Sequence, residues 1–217
     1  MKNVQGLWLP DGETHMIDVI TGPKARVVEG VVSYQYRKFE RAMQFVPPER
    51  RRRCIDIGAH VGTWSMHFVK LFRWVEAFEP VAEHAAIYPH NVKEDNYLLH
   101  PVAIGEKPGR VGMKQSSWST GSAHVWGDGD VEMRTLDSYD FTEVDFIKID
   151  VEGLELQVCK GAALTIAKNR PIMVVEQKGR EVKTYGEAQR DQAVAWLEKH
   201  LGMRRLDCIS GDWMMGW

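Results

Sequence analysis

The chain has 217 residues, 44% of them hydrophobic and 27% charged, which suits one compact domain and is too apolar for a disordered or fibrous protein. A formal charge of −2 gives no global field for holding nucleic acid. No apolar stretch approaches the roughly 20 residues that span a bilayer, no signal-peptide pattern opens the chain, and Cys54, Cys159 and Cys208 lack Cys-x-x-Cys spacing, so they read as reduced core residues of a cytoplasmic protein.

Residues 1–32 carry Pro10-Asp11-Gly12 and Thr21-Gly22-Pro23 turn signals between short apolar runs, so a small β element is expected there. Residues 33–46 read as an amphipathic helix, with Tyr36, Phe39 and Met43 on one side and Arg37, Lys38, Glu40 and Arg41 on the other. These 46 residues are expected to pack on a domain spanning 47–217. Arg50 to Arg53 form a basic run ahead of a strand; it reads as a solvated approach, with phosphate binding as the sharper alternative.

From residue 53 onward apolar runs alternate with helical patterns. Strands are expected at 53–57, 74–78, 98–103, 144–149 and 171–176, and helices at 62–72, 81–96 with a break near Pro89, 153–169 and 185–201. The third helix places Leu154, Val158, Ala162 and Ile166 on one face, and the fourth buries Val194, Leu197 and Leu201. Such alternation predicts an α/β fold, a mostly parallel sheet with helices on both faces. Runs at 203–209 and 213–217 flank Ser210-Gly211-Asp212, predicting an antiparallel C-terminal hairpin. Residues 105–133 fall outside the alternation, and the Ser/Thr/Gly-rich stretch 115–122, with Trp118 and Ser119, either covers a ligand or forms an ordinary surface hairpin.

The chemistry gathers at strand ends. Asp56 lies inside the first strand, followed by a turn through Gly58, Ala59, His60 and Gly62, where glycine lets backbone approach a ligand closely. Glu79, followed by Pro80, ends the second strand about 20 residues further on, the position from which an acid grips a ribose diol. Asp150 and Glu152 follow the fourth strand and Glu176 ends the fifth. Carboxylates crowded into one crevice repel one another unless cations or hydroxyls satisfy them. The bland readings are that Asp150 caps the following helix, and that Glu152 and Glu176 pair with Lys148 and Lys178. The other histidines, His67, His84, His90, His100 and His124, show no ligand spacing and read as surface or interfacial. Trp8 and Trp118 are candidates to pack against an acceptor ring.

The segments Ile55-Asp-Ile-Gly-Ala-His-Val-Gly62, Ala77-Phe-Glu-Pro80, Val102-Ala-Ile-Gly105, Thr135-Leu-Asp137 and Ile147-Lys-Ile-Asp-Val-Glu-Gly-Leu-Glu155, then Lys160-Gly161 and Arg170-Pro-Ile through Glu176, resemble in that order the FkbM-type family of S-adenosylmethionine-dependent methyltransferases. They cover about residues 50–180, and His60 departs from the family's usual Asn. The resemblance implies a class I, Rossmann-like methyltransferase domain with a seven-stranded sheet. It implies S-adenosylmethionine as cofactor and S-adenosylhomocysteine as product. Asp56 and the turn at Gly58, Ala59, His60 and Gly62 would approach the methionine portion, Glu79 and Pro80 the ribose, and Val102, Ala103 and Ile104 the adenine, with Asp150 beside the methyl.

The expected reaction is O-methylation of a sugar or other small hydroxylated acceptor, with Asp150 as general base and His60 as the second candidate. Trp118, Ser119, Glu152 and Glu176 would meet the acceptor. Two alternatives stay open: a nucleic-acid or nucleotide methyltransferase, against which stand the weak basic face and the lack of an Asn/Asp-Pro-Pro-Tyr/Phe segment, and a non-catalytic cofactor-binding module. Catechol-type methyltransferases hold a divalent cation at strand ends, which Asp150 and Glu176 imitate, but two carboxylates make no coordination shell, so no metal is expected. Oligomeric state is not set by these residues.

Overall fold

The computed structural model describes residues 1–23, 25–115, 119–177 and 191–217. Its N-terminal part holds two hairpins, β1 (Lys2–Val4) with β2 (Leu7–Leu9) and β3 (Arg26–Val28) with β4 (Val31–Ser33), separated by helix α1 (His15–Thr21) and followed by α2 (Tyr36–Met43). The alternating region supplies β5 (Arg53–Ile57), α3 (Ser65–Leu71), β6 (Trp74–Phe78), α4 (Ala82–Asn91) and β7 (Tyr97–His100). Short strands β8 (Ala103–Ile104), β9 (Gly109–Val111), β10 (Met113–Lys114), β11 (His124–Val125) and β12 (Val131–Arg134) come next. The chain continues through β13 (Val144–Ile149), α5 (Glu155–Gly161), α6 (Ala163–Asn169), β14 (Ile172–Glu176), α7 (Gln192–Leu201), β15 (Arg204–Ile209) and β16 (Asp212–Gly216).

Seven strands form the main sheet in the order β15-β16-β14-β13-β5-β6-β7. The four pairings from β14 to β7 are parallel, and β16 runs antiparallel to both of its neighbours. The winding reverses between β5 and β13, and a ligand crevice in such sheets opens outside the carboxyl ends of the strands at that point.

The period-2 alternation of a strand splits successive residues between two cores. Cys54, Phe146, Val174 and Met214 face one core, while their chain neighbours Ile55, Ile147, Val175 and Met215 face the other. Because both faces are covered, β13 reads as an unbroken apolar run apart from Asp145 and Lys148, and it is buried along its whole length. A fully buried Phe146 or Ile147 stabilises the fold by roughly 1.5–3 kcal/mol. Helices α5, α6 and α7 cover the second face through Val158, Ile166 and Leu197. The first face takes Phe68 of α3, Tyr88 of α4, and Leu9, Val32 and Phe39 from the N-terminal part.

Several expectations change on contact with tertiary structure. Residues 15–21 form a helix where only β structure was expected; its Met16 and Ile20, one turn apart, are buried. The third strand ends at His100, and Ala103–Ile104 pairs instead with β12 in a separate three-stranded sheet. The predicted 153–169 helix is two helices with a break at Ala162. Gly161 sits at that break, where a Cβ would overlap the Gly105 carbonyl, so close packing of two loops forces glycine there. Pro89 lies inside α4 near its end without breaking it. Leu154 and Leu201 are only half-buried, unlike Val158, Ala162, Ile166, Val194 and Leu197. The start of the predicted 185–201 helix lies outside the described residues.

Cys208 is exposed on β15, whereas Cys54 and Cys159 are core residues. The arginine run is tied into the fold through two of its members. Arg52 donates to both carboxylate oxygens of Asp145, at 2.6 and 2.8 Å, Arg50 adds a third contact at 3.3 Å, and the Arg52 backbone N–H a fourth at 2.9 Å. Burial works against the Asp145 charge, yet these donors outweigh it and hold the carboxyl below the usual range. Two of the four arginines thereby fasten the entry to β5 onto β13. No described helix is long and apolar enough to cross a membrane.

Candidate active site

A cavity of about 430 Å³ opens at the carboxyl ends of β5, β6, β13 and β14, within the usual range for small-molecule sites. The turn after β5 forms its floor. Gly58 has φ +79°, and a Cβ there would overlap the Asp150 carbonyl oxygen, so both backbone geometry and space require glycine. His60 also lies in the left-handed region at φ 52°. Asn is among the few side chains that tolerate this conformation, which explains why the resembling family favours Asn here and why His can replace it. Gly62, at φ +87°, serves packing: a Cβ would press on Val92 and Tyr88.

Glu79 is buried at the end of β6. Its Oε2 accepts from the His60 backbone N–H at 2.8 Å and its Oε1 from the Val81 N–H at 2.8 Å, with His84 Nδ1 at 3.3 Å. These contacts fix the carboxylate at the cavity wall beside Pro80. Val102, Ala103 and Ile104, all buried, supply the apolar part of that wall.

Lys148 is the hub of the opposite end. Its buried ammonium lies 3.5 Å from Asp56 Oδ1 and 3.3 Å from Asp150 Oδ2, and it donates to the Gly58 carbonyl at 3.3 Å. Burial opposes its charge, but Asp150 and Asp56 outweigh that penalty and keep its pKa above the ordinary lysine range. Asp56 is fully buried, and Ser65 donates to its other oxygen at 2.7 Å. Burial pushes the Asp56 carboxyl upward while Lys148 and Ser65 oppose the shift.

Asp150, Glu152 and Glu176, all expected at one crevice, each place one carboxylate oxygen within 4.8 Å of the others. Asp150 does not cap a helix: α5 starts at Glu155 with no side-chain cap. Glu155 instead accepts from the backbone N–H groups of Val151 at 3.3 Å and Gly153 at 3.0 Å, closing the loop that presents Asp150. The motif residue Asp137 is likewise structural, accepting from the Leu164 and Thr165 N–H groups at the start of α6.

Of the residues anticipated from sequence, Gly58, His60, Glu79, Pro80, Asp150, Glu152 and Glu176 line the cavity, as do Val102, Ala103, Ile104 and Ser119. Asp56, Ala59 and Gly62 sit behind this lining; Asp56 reaches it only through Lys148. Trp118 lies outside the described residues. Trp8 packs on His90 with ring centroids 5.7 Å apart, away from the cavity. His67 and His84 are buried, contrary to the surface reading: His67 bonds Ser33 at 2.6 Å and His84 faces Glu79. The ordinary imidazole pKa expected of His60 does not hold, because burial and then the neighbouring His84 push it well below 6.5.

The rest of the lining includes residues not named from sequence, from regions that were expected to shape the cavity. His15, Met16, Tyr34 and Gln35 come from the N-terminal part, and Met113 and residues 120–123 from the irregular region. Glu13, wholly buried, joins the two: it accepts from the Met16 N–H at 2.8 Å, the Thr120 N–H at 2.7 Å and the Thr120 hydroxyl at 2.6 Å. No local signal announces such a contact, since its partners are 107 residues apart.

The donor set fits S-adenosylmethionine: a buried carboxylate at the end of β6 that could hold a ribose diol, an apolar patch beside it, and a glycine turn with no room for a side chain at Gly58. A model of the family described as the methyltransferase FkbM domain matches residues 56–205. No curated protein matches the chain. Among solved structures, the FkbM methyltransferase from Methylobacillus flagellatus superposes with a TM-score of 0.52 at 17% identity, covering 76% of this chain and 43% of that one. The chain thus spans less than half the length of that protein. The N-methyltransferase NodS from Bradyrhizobium japonicum (TM-score 0.50, 6% identity, 84% and 93% covered) and the precorrin-6y C5,15-methyltransferase from Geobacter metallireducens (0.50, 13%, 89% and 94%) share the fold. Sheet order, glycine turn and family match agree, and the chain belongs to the FkbM family of S-adenosylmethionine-dependent methyltransferases.

Proposed function

We propose that the chain methylates a hydroxyl oxygen of a small, polyhydroxylated acceptor, a sugar or sugar-bearing compound, with Asp150 removing the hydroxyl proton. The observation that carries this reading is the convergence of Asp150, Glu152 and Glu176 at the cavity end opposite the ribose wall. Carboxylates are good hydrogen-bond acceptors for hydroxyls, and three of them around one space can orient a polyol. When bound, S-adenosylmethionine supplies an electrophilic methyl on a sulfonium that carries its own leaving group. The protein's part is to align the acceptor oxygen, exclude water and take up the proton.

Asp150 suits the last task. It retains 21% side-chain exposure and stands 3.3 Å from Lys148, which steadies its charged form. His60, also at the cavity and neutral through burial, is the second candidate for the base. Glu79, Val102, Ala103 and Ile104 hold the nucleoside half, while Ser119, Glu152 and Glu176 face the acceptor. The nucleic-acid alternative is weakened, because two of the four arginines that would serve it, Arg50 and Arg52, bond Asp145.

The test is methyl transfer from radiolabelled S-adenosylmethionine to panels of sugars, amines and oligonucleotides, with isothermal titration of the cofactor alongside. Sugar methylation is expected, and labelling of amines or oligonucleotides alone would overturn the acceptor class. Cofactor binding without any transfer would favour the non-catalytic module. Asp150→Asn should lower kcat by about 10²–10⁴-fold while cofactor affinity stays within a few-fold. Turnover should persist in EDTA; loss restored by Mg²⁺ would hand the three carboxylates to a cation instead.

A further inference from the structure

His60, Thr120 and Glu13 form a continuous chain of hydrogen bonds from the floor of the cavity to the N-terminal part. His60 Nε2 lies 3.0 Å from Thr120 Oγ1, and Thr120 Oγ1 lies 2.6 Å from Glu13 Oε2. A hydroxyl has one proton to give. Glu13 Oε2 already receives the Thr120 backbone N–H, and Oε1 receives the Met16 N–H, so this carboxylate acts as acceptor throughout. The Thr120 proton therefore points to Glu13, and its oxygen lone pair is left for an N–H of His60. Only Nε2–H can supply it, which leaves the lone pair of a neutral imidazole on Nδ1.

We infer that Glu13 and Thr120 are positioning residues: they clamp residues 119–122 onto the glycine turn and hold His60 as the Nε2–H tautomer, with Nδ1 the acceptor atom of the ring. Two independent features support this beyond the distances. Glu13 and Thr120 are both buried, at 0% and 4% exposure, so the clamp is shielded from water and its bonds are worth more than surface contacts. Ser122 Oγ also donates to the Ser119 carbonyl at 2.7 Å, closing the short helical turn that carries Thr120. The burial that weakens His60 as a base keeps its ring neutral near pH 7, the condition under which a fixed tautomer has meaning.

The consequence for catalysis is a division of labour. The acid Glu13 never touches the acceptor; it orders a wall of the cavity and sets which ring nitrogen of His60 accepts. This inference rests on reading the cavity as the methyl-transfer site, but its first test does not.

In ¹⁵N-labelled protein at pH 7, long-range ¹H–¹⁵N correlation should show His60 Nε2 protonated and Nδ1 bare; the reverse tautomer, or a charged ring, would overturn the assignment. Thr120→Val removes the hydroxyl and should release the tautomer to a mixture, raise KM for the acceptor by about tenfold and leave kcat within about threefold. Thr120→Ser, which keeps the hydroxyl, should restore both the spectrum and KM. Equal damage from the serine and valine variants would show that Thr120 serves packing alone. If Thr120→Val fails to fold, the wild-type spectrum and the serine variant still decide the matter. Should His60 show the expected tautomer in a protein that transfers no methyl to any acceptor, the clamp stands and the functional reading falls.

Discussion

The two walls of the cavity are made by different means. On the sheet side, Gly58, Glu79, Lys148 and Asp150 stand at strand ends whose spacing is fixed by the parallel ladder, and backbone atoms do much of the work: the Asp150 N–H donates to the Ile57 carbonyl at 3.0 Å and the Gly58 N–H to the Phe78 carbonyl at 3.0 Å. On the covering side, the N-terminal part and residues 119–125 meet through side chains, with Glu13 as the fastening. The difference teaches which parts of the cavity are fixed by the sheet and which by side-chain contacts. On the function proposed above, the Glu79 end of the sheet side holds the cofactor, while Asp150, Glu152 and Glu176 share the acceptor with the cover.

The comparison breaks most visibly at Lys148. Lys148→Met leaves Asp56 buried without its cation, and removing one member of a buried ion pair typically costs about 3–5 kcal/mol. Urea unfolding should show a loss of that size, with the glycine turn loosened because the Lys148 bond to the Gly58 carbonyl goes too. A loss below about 1 kcal/mol would mean that the sheet-side wall does not depend on its hub.

Glu79→Ala should be milder for folding and specific for the cofactor. Hydrogen bonds to a charged group contribute about 1.5–3 kcal/mol, so S-adenosylmethionine should bind about 10–100-fold more weakly by titration, with acceptor KM little changed. Equal loss on both would erase the proposed separation of the walls.

The smallest effect concerns what the cover rests on. His67 of α3 bonds Ser33 and packs between Tyr36 and Phe39, at ring-centroid distances of 5.1 and 5.0 Å. Burial, with a smaller contribution from Lys70, lowers its pKa from 6.5 to about 4. The unfolded chain then binds the proton more readily, so this contribution to stability is complete above pH 6.5 and declines as pH falls toward 4. Between pH 7 and 5.5 the decline should be about 1 kcal/mol, bounded by 1.4 kcal/mol per pH unit. His67→Gln should flatten that part of the stability curve, and an unchanged slope would place the titration elsewhere.

Legibility in the sequence follows the same division. Strands β5, β6 and β13 were readable to the residue because apolar runs bounded by turn residues are local signals. Asp150, Glu79 and Gly58 were readable because strand ends and left-handed glycines leave local marks. The third strand and the 153–169 helix were misjudged where loops pack against each other, as at Gly161 and Gly105. Glu13 and Thr120 were invisible for a physical reason: a single buried carboxylate in a turn-rich segment carries no periodicity, and its meaning arises only when the fold delivers a partner 107 residues away. His84, passed over as a surface group, owes its burial to the same kind of delivery, since α4 turns it toward Glu79. The arginine run misled because charge alone does not say whether the complement is a ligand or a buried Asp145.

The contact between Gly58 and the Asp150 carbonyl acts as a ruler. The turn after β5 and the loop that presents Asp150 touch backbone to backbone, with no side chain between them to lengthen or shorten. If the turn seats the methyl donor and Asp150 is the base, as proposed above, the interval between them is set by the width of a peptide group. A new acceptor would then be accommodated around that fixed interval, by altering Glu152, Glu176 or the cover that Glu13 fastens in place.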